Sequence, residues 1–367
     1  MSPTMKDLLS DEVRDLPTSP IPVDAVIGDG RRRLRRHRAT SGTAAFAAVA
    51  AVAALAVQGL PSDDGFAGVG EFEQRKVTYA TASTIHYGGQ GIDVSPHQVW
   101  SFAQTDDGFV FTTESGDVYL ADGETVEQIG DGNDDGLLAA DDTGSYVAWV
   151  DSDAEAVVYD TADRAEVTRT AVDGEPTDGV WLDDDAPYAV AVDGDVAYWR
   201  TGDGVVAWNL TTQSGEVLVA HSDHFYVQDI ADGRIAQVWT AGADLPRHVV
   251  VNTDPDAERP LFPMTERTDL SPSGHHLALG DRFAPAGWIY DVARRDDVTP
   301  TLPAGYRRVF VTQWIDDDRY VARAQPEGSD QIDLLRCSIS AGTCSVAASA
   351  VGSAGDVQYP VGQVDPY

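Results

Sequence analysis

The sequence predicts an all-β fold after a single N-terminal transmembrane helix: a β-propeller of seven blades, with six as the alternative. Three observations point to it. Short apolar strands closing on Asp or Asn recur as "VVYDTA" (157–162), "VAWNLT" (206–211) and "WIYDVA" (288–293), with "VVVNTD" (249–254) a looser copy. The closing residues Asp160, Asn209, Asn252 and Asp291 are spaced 49, 43 and 39 apart, near the roughly 40–45 residues of a four-stranded blade. A second pattern, an acidic or small-polar turn before a strand with an apolar-Ala pair, recurs as "DDTGSYVAWV" (141–150), "SPSGHHLALG" (271–280) and "DDDRYVARA" (316–324), with "DDDAPYAVAV" (183–192) a degenerate copy. Third, an apolar run without charge follows an arginine cluster.

In chain order, residues 1–38 read as a cytoplasmic tail, largely disordered. Met5, Leu8, Leu9, Val13 and Leu16 lie at helical spacing, so residues 5–16 form a short amphipathic helix before "PTSPIP" breaks it. A helix this short is unstable alone. It either folds on a cytoplasmic partner or remains an untethered tail that skims the membrane. Arg31, Arg32, Arg33, Arg35, Arg36 and Arg38 come next. A positive flank of this kind stays cytoplasmic, so it orients the apolar run beyond it.

Residues 39–60 are assigned as the span. Its charge-free stretch from Ala39 to Val57 has 19 residues, which at about 1.5 Å per residue nearly crosses a core of roughly 30 Å. Only Phe46 and Leu55 are large, so insertion is modestly favourable. The competing reading is a secretory signal cleaved near Ala54-Leu55-Ala56. Against it stand the long preceding region and an apolar run beyond the usual h-region of about 7–15 residues. Residues 61–79 read as a linker, and residues 80–367 as an extracytoplasmic propeller in a single-pass protein of the cell membrane.

Charge agrees with that division. Residues 1–38 carry eight basic against six acidic side chains, net +2, within a chain of net −35. The part beyond is therefore strongly acidic, which disfavours nucleic acid and anionic surfaces as partners. Solvation alone accounts for such a surface; attraction of cations or basic partners is the functional reading. Cys337 and Cys344 sit symmetrically about Ser340-Ala341. On a hairpin they face each other and form a disulfide, the favoured state in an oxidising extracytoplasmic space; two free thiols are the alternative.

Six blade periods begin near Trp100, Leu138, Val180, Phe225, Leu270 and Val311. Residues 83–95 read as a hairpin through Gly88-Gly89-Gln90-Gly91, and residues 356–362 as a final strand. Pairing of these terminal pieces makes a seventh, composite blade that removes exposed sheet edges. All eight tryptophans fall in the wheel, mostly as filling between blades.

These turns carry a resemblance. "SPSGHHLAL" and "DDTGSYVAW" resemble the Ser-Pro-Asp-Gly turn of TolB-like and related WD-type propeller repeats, and "VVYDTA" resembles their strand-closing Asp. Ser273 stands where those turns carry Asp, and no Trp-Asp dipeptide closes a blade. The layout of arginine cluster, Ala-rich span and acidic wheel also resembles actinobacterial membrane-anchored propeller proteins. The resemblance implies the fold over roughly 80–367 and transfers no functional residue.

Four stretches bear on chemistry. Asp131, Asn133, Asp135 and Asp142 fall at calcium-loop positions one, three, five and twelve, with Gly136 at six. Such loops end in a bidentate Glu between helices, and here the flanks read as strands; an Asp-rich inter-blade loop is the plainer reading, and no other cofactor is expected. His221, Asp223 and His224 crowd one turn, and His275-His276 are adjacent, but alternation on a strand splays such pairs. No Gly-x-Ser-x-Gly or His-Glu-x-x-His pattern is present. Acidic pairs such as Asp316 and Asp318 are too common to single out. The expected function is a ligand- or protein-binding module that receives an extracytoplasmic protein or small ligand at the propeller face. The alternative is a propeller hydrolase or lyase acting on cell-wall or extracellular polymers.

Overall fold

The structure, a computed structural model, describes residues 72–132, 137–172, 187–221, 225–239, 248–252, 262–263, 267–280 and 288–360. The expected tail, the arginine cluster Arg31 to Arg38 and the span all lie outside these residues. Among the described residues no helix is long and apolar enough to cross a membrane.

Strands β1 (Thr78–Thr81), β2 (Thr84–Tyr87) and β3 (Gln90–Asp93) form most of blade I. Blade II is β4 (Ser101–Thr105), β5 (Gly108–Thr112), β6 (Asp117–Ala121) and β7 (Val126–Asp131). Blade III is β8 (Ala139–Ala140), β9 (Tyr146–Val150), β10 (Glu155–Asp160) and β11 (Ala165–Ala171). Blade IV is β12 (Tyr188–Asp193), β13 (Val196–Thr201), β14 (Gly204–Asn209) and β15 (Ser214–Ala220). Blade V is β16 (Phe225–Ala231), β17 (Arg234–Trp239), β18 (His248–Asn252) and β19 (Phe262–Pro263). Blade VI is β20 (Arg267–Leu270), β21 (His276–Gly280), β22 (Trp288–Asp291) and β23 (Asp296–Val298). Blade VII is β24 (Tyr306–Trp314), β25 (Arg319–Pro326), β26 (Gln331–Ser338) and β27 (Thr343–Ser353), after which β28 (Val357–Gln358) pairs with β1. The described residues thus form seven four-stranded antiparallel sheets, one of them built from both ends of the propeller.

Ring closure shows in the core. Successive side chains on a strand point to opposite faces, so each blade feeds two interfaces. On β4, Phe102 packs towards blade I and Ala103 towards blade III. Among the described residues seven buried clusters result, each joining two successive blades, and the last joins β25 and β26 to Val357 and Tyr359. Trp149, Trp199 and Trp314 are buried in three of these clusters, as expected of inter-blade filling.

The repeated sequence patterns have local causes. Asp160, Asn209 and Asp291 end the third strand of their blades and accept backbone N–H bonds from the turn: Ala162 and Asp163, Thr211 and Thr212, and Arg294, at 2.8–3.3 Å. Four residues on, Arg164, Gln213 and Arg295 take positive φ of 50°, 53° and 57°, which turns the chain into the fourth strand. The second pattern marks the hairpin from first to second strand: Asp141 accepts from Thr143 N, and Asp316 from Asp318 N and Arg319 N.

Two expectations need correction. The described part of "DDDAPYAVAV" belongs to β12, a first strand, whereas the other copies precede second strands. Both strand types are buried on two faces, so the apolar-Ala pattern does not separate them. The period start placed at Val180 lies outside the described residues, and the first described strand of that blade is β12. The linker placed at 61–79 overlaps the propeller: Phe72 is 3% exposed within the blade I–II core, and β1 begins at Thr78.

Candidate functional site

In each blade the first strand (β28 in blade I) pairs with a full strand on one side only, apart from an isolated parallel bridge between Asp141 and Val192, which leaves most of its other backbone edge to the axial channel. A free edge presents unpaired N–H and C=O groups, so the channel wall is polar before any side chain is counted. The channel holds a cavity of about 120 Å³. Gln104 of β4, Asp141 and Asp142 beyond β8, Gln228 and Asp229 of β16, Thr268 and Asp269 of β20, and Gln313 and Trp314 of β24 line it, with Arg75 from the segment ahead of β1. Bulges interrupt the pairing of β12, β16 and β24 between Ala189 and Ala191, Val227 and Asp229, and Val311 and Gln313. A bulge lets neighbouring residues reach the same space, and Gln228 and Asp229 do so here.

Arg75 is committed to the wall. Its guanidinium donates to the carbonyl oxygens of Phe72, Thr105 and Asp141 at 3.2, 3.2 and 3.3 Å and pairs with Asp106 at 3.2 Å. Among the described residues, Asp141, Asp142 and Asp229 form no ion pair. Asp141 is 8% exposed, and burial pushes its carboxyl up to about 6, against the Thr143 N–H bond and Arg75. Asp142 presents an exposed carboxyl to the channel while protein surrounds it. Desolvation first, then repulsion from Asp269 and Asp141, raises it to about 7, and channel water screens part of that push. Asp229 is raised well above the carboxylate range by the same desolvation and by Asp269, although Leu270 N and Ile230 N donate to it at 2.6 and 2.8 Å.

Among the described residues, three buried polar atoms of the channel-lining side chains have no hydrogen-bond partner. The Gln104 side chain donates to Phe72 O but leaves its Oε1 unmatched; Gln313 accepts from Thr78 N but leaves its Nε2 unmatched; and Trp314 Nε1 donates to nothing. All three residues are at least nine-tenths buried. Buried polar groups without partners are costly, and all three residues belong to the lining of the carboxylate-bearing cavity.

The structure scatters the sites expected from sequence. Asp131 ends β7, the outermost strand of blade II; its carboxylate accepts from Ser152 Oγ at 2.6 Å and its carbonyl from Trp149 Nε1 at 2.9 Å. Asp142 lies at the channel, while Asn133 and Asp135 lie outside the described residues. Among the described residues no group of three or more His, Cys, Asp or Glu side chains is placed to hold a metal ion. His221 N donates to Asp203 O at 2.8 Å; Asp223 and His224 are outside the described residues. His275 Nδ1 lies 2.7 Å from Ser273 Oγ, whereas His276 stacks on Trp314 at 6.4 Å, so the adjacent pair splays. Cys337 and Cys344 face each other across β26 and β27 and are disulfide-bonded. Sequence reasoning missed Arg75, Gln104, Asp229 and Gln313 as channel residues, because each comes from a different blade and no local pattern marks it.

No protein-family model matches the sequence, and no curated protein matches it. Among solved structures the chain is similar to "Structure of U3-55K", with a TM-score of 0.47 and 12% identity over 70% of this chain and 83% of that one. The crystal structure of RRP9 WD40 repeats gives 0.46 and 11% over 74% and 85%. The computationally designed Ika8 protein gives 0.44 and 12% over 74% and 93%. At such values these likenesses carry no argument about function, and the propeller assignment stands on the seven sheets and their register.

Proposed function

We propose that the chain is a membrane-anchored binding module: an N-terminal tail inside, one span, and an extracytoplasmic propeller that receives a protein or small ligand. The observation that carries the binding reading is the channel, where three carboxyls without ion pairs and three unmatched polar atoms share one cavity of about 120 Å³. Such a site gains by taking up a complementary group. The anchor and its orientation rest on the Arg31 to Arg38 cluster and the apolar run after it.

One observation favours the second reading, a hydrolase or lyase. Carboxyls raised towards neutral pH, beside Arg75, are what acid and base work requires. The small cavity, about 120 Å³, weighs against a polymer substrate. The test pairs two assays on the full chain in intact cells. Protease added outside should cut the propeller and spare the tail, and incubation with wall and extracellular polymers should leave their chain lengths unchanged. Cleavage of the tail from outside would refute the orientation, and polymer shortening abolished by Asp142→Asn would replace the binding reading with the enzymatic one.

A further inference from the structure

We propose that the axial channel is a site for a short amino alcohol, a primary ammonium a few carbons from a hydroxyl. The inference deepens the binding reading and rests on it.

The wall dictates the ligand's parts. Asp141, Asp142 and Asp229 call for a cation, and the resident cation, Arg75, is engaged by three carbonyls and Asp106. The unmatched Gln104 Oε1 is an acceptor for an ammonium N–H. The unmatched donors Gln313 Nε2 and Trp314 Nε1 need an acceptor that an ammonium lacks and a hydroxyl supplies. Ala139, Val190, Val192 and Ile230 also border the cavity while packing into the inter-blade cores, so a short carbon link between the two polar ends meets a few apolar atoms of a mainly polar wall. A bare metal ion fits worse: it would leave both donors unmatched, and the carboxylates do not gather as a metal-holding group among the described residues. The cavity of about 120 Å³ compares with the roughly 150 Å³ that admits benzene, which is room for two or three carbons with their end groups.

The same amino-alcohol chemistry comes from a free molecule or from an amino sugar of a larger glycan, and the probes separate these. Ethanolamine, glucosamine, n-propylammonium, 1-propanol and calcium are each titrated calorimetrically into the full chain at pH 8. Asp142→Asn and Asp229→Asn serve as channel variants, and Asp153→Asn, on an exposed turn, as control. The Asp142 side chain makes no hydrogen bond among the described residues, so Asp142→Asn should fold; thermal unfolding of each variant verifies this.

Ethanolamine should bind the wild type and Asp153→Asn equally, and at least tenfold more weakly in both channel variants. n-Propylammonium should bind about tenfold more weakly than ethanolamine, and 1-propanol not at all. Glucosamine binding as tightly as ethanolamine assigns a glycan source, and its exclusion assigns a free amino alcohol. The proposal is overturned by no ethanolamine binding at 10 mM (roughly −2.7 kcal/mol or weaker), by equal affinity for n-propylammonium, by channel variants that bind like wild type, or by calcium displacing ethanolamine. Failure here with a protein still captured on the propeller would leave the binding reading standing.

Discussion

Asp141→Asn isolates the electrostatic cost of building an acidic channel. The Asp141 carboxyl is 8% exposed and is raised from 3.8 to about 6. A carboxyl raised in the folded state binds its proton more tightly there than in the unfolded chain. Its charge therefore weakens the fold progressively from the unfolded value near pH 4, and fully above about pH 6, with no effect below pH 4. A rise of about two units at 1.36 kcal/mol each makes the penalty about 3 kcal/mol at pH 7.5. Asparagine keeps an oxygen for Thr143 N, bonded at 3.1 Å, and the raised value already includes that bond's preference for the charged carboxylate. The variant should gain about 3 kcal/mol over wild type at pH 7.5 and match it at pH 4, where the wild-type carboxyl is protonated in the fold. Urea unfolding followed by tryptophan fluorescence, read as the difference between the two proteins at each pH, cancels the titration of the other carboxylates. A difference that does not change with pH, or a variant weaker at pH 7.5, would show that Arg75 compensates the Asp141 charge and would refute the reasoning.

Other perturbations probe the frame around the channel. Replacing Cys337 and Cys344 with alanine opens a loop with a sequence separation of 7. It should cost about 2–3 kcal/mol in denaturant midpoints, and the unreduced wild type should titrate no thiols. Trp199→Ala empties the interface between blades III and IV, where the side chain is 1% exposed, and should cost about 3–5 kcal/mol. Because Trp199 Nε1 has no partner among the described residues, Trp199→Phe should retain most of that stability. Gly204→Ala places a Cβ 2.1 Å from Val219 O at a φ of +123°, so it should cost more than about 2 kcal/mol and lower soluble yield.

What the sequence reveals about this molecule divides along locality. The Asx turns at Asp160, Asn209 and Asp291 are legible because a side chain bonds the backbone two or three residues on. The composite blade is legible because closure removes two edges at once, and β28 does pair with β1. The disulfide is legible because symmetric spacing about a turn sets the register Cys337 to Cys344. Phe72 reads as linker since no periodicity surrounds it; only Tyr87 and Phe109, both 5.2 Å away, make it core. The channel is illegible for the same reason in stronger form. Its wall draws one or two residues from each of many strands, and the bulge at Gln228 breaks the alternation that would assign Asp229 a face.

The central claim is that this propeller binds rather than turns over, and that it does so at its axis. Capture from native membranes with the full chain as bait, alongside Asp142→Asn and Asp229→Asn, tests it most directly. Mass spectrometry should identify a molecule retained reproducibly by the wild type and depleted at least tenfold with both variants. Equal retention by all three proteins, or release of a chemically altered product by the wild type alone, would contradict the account.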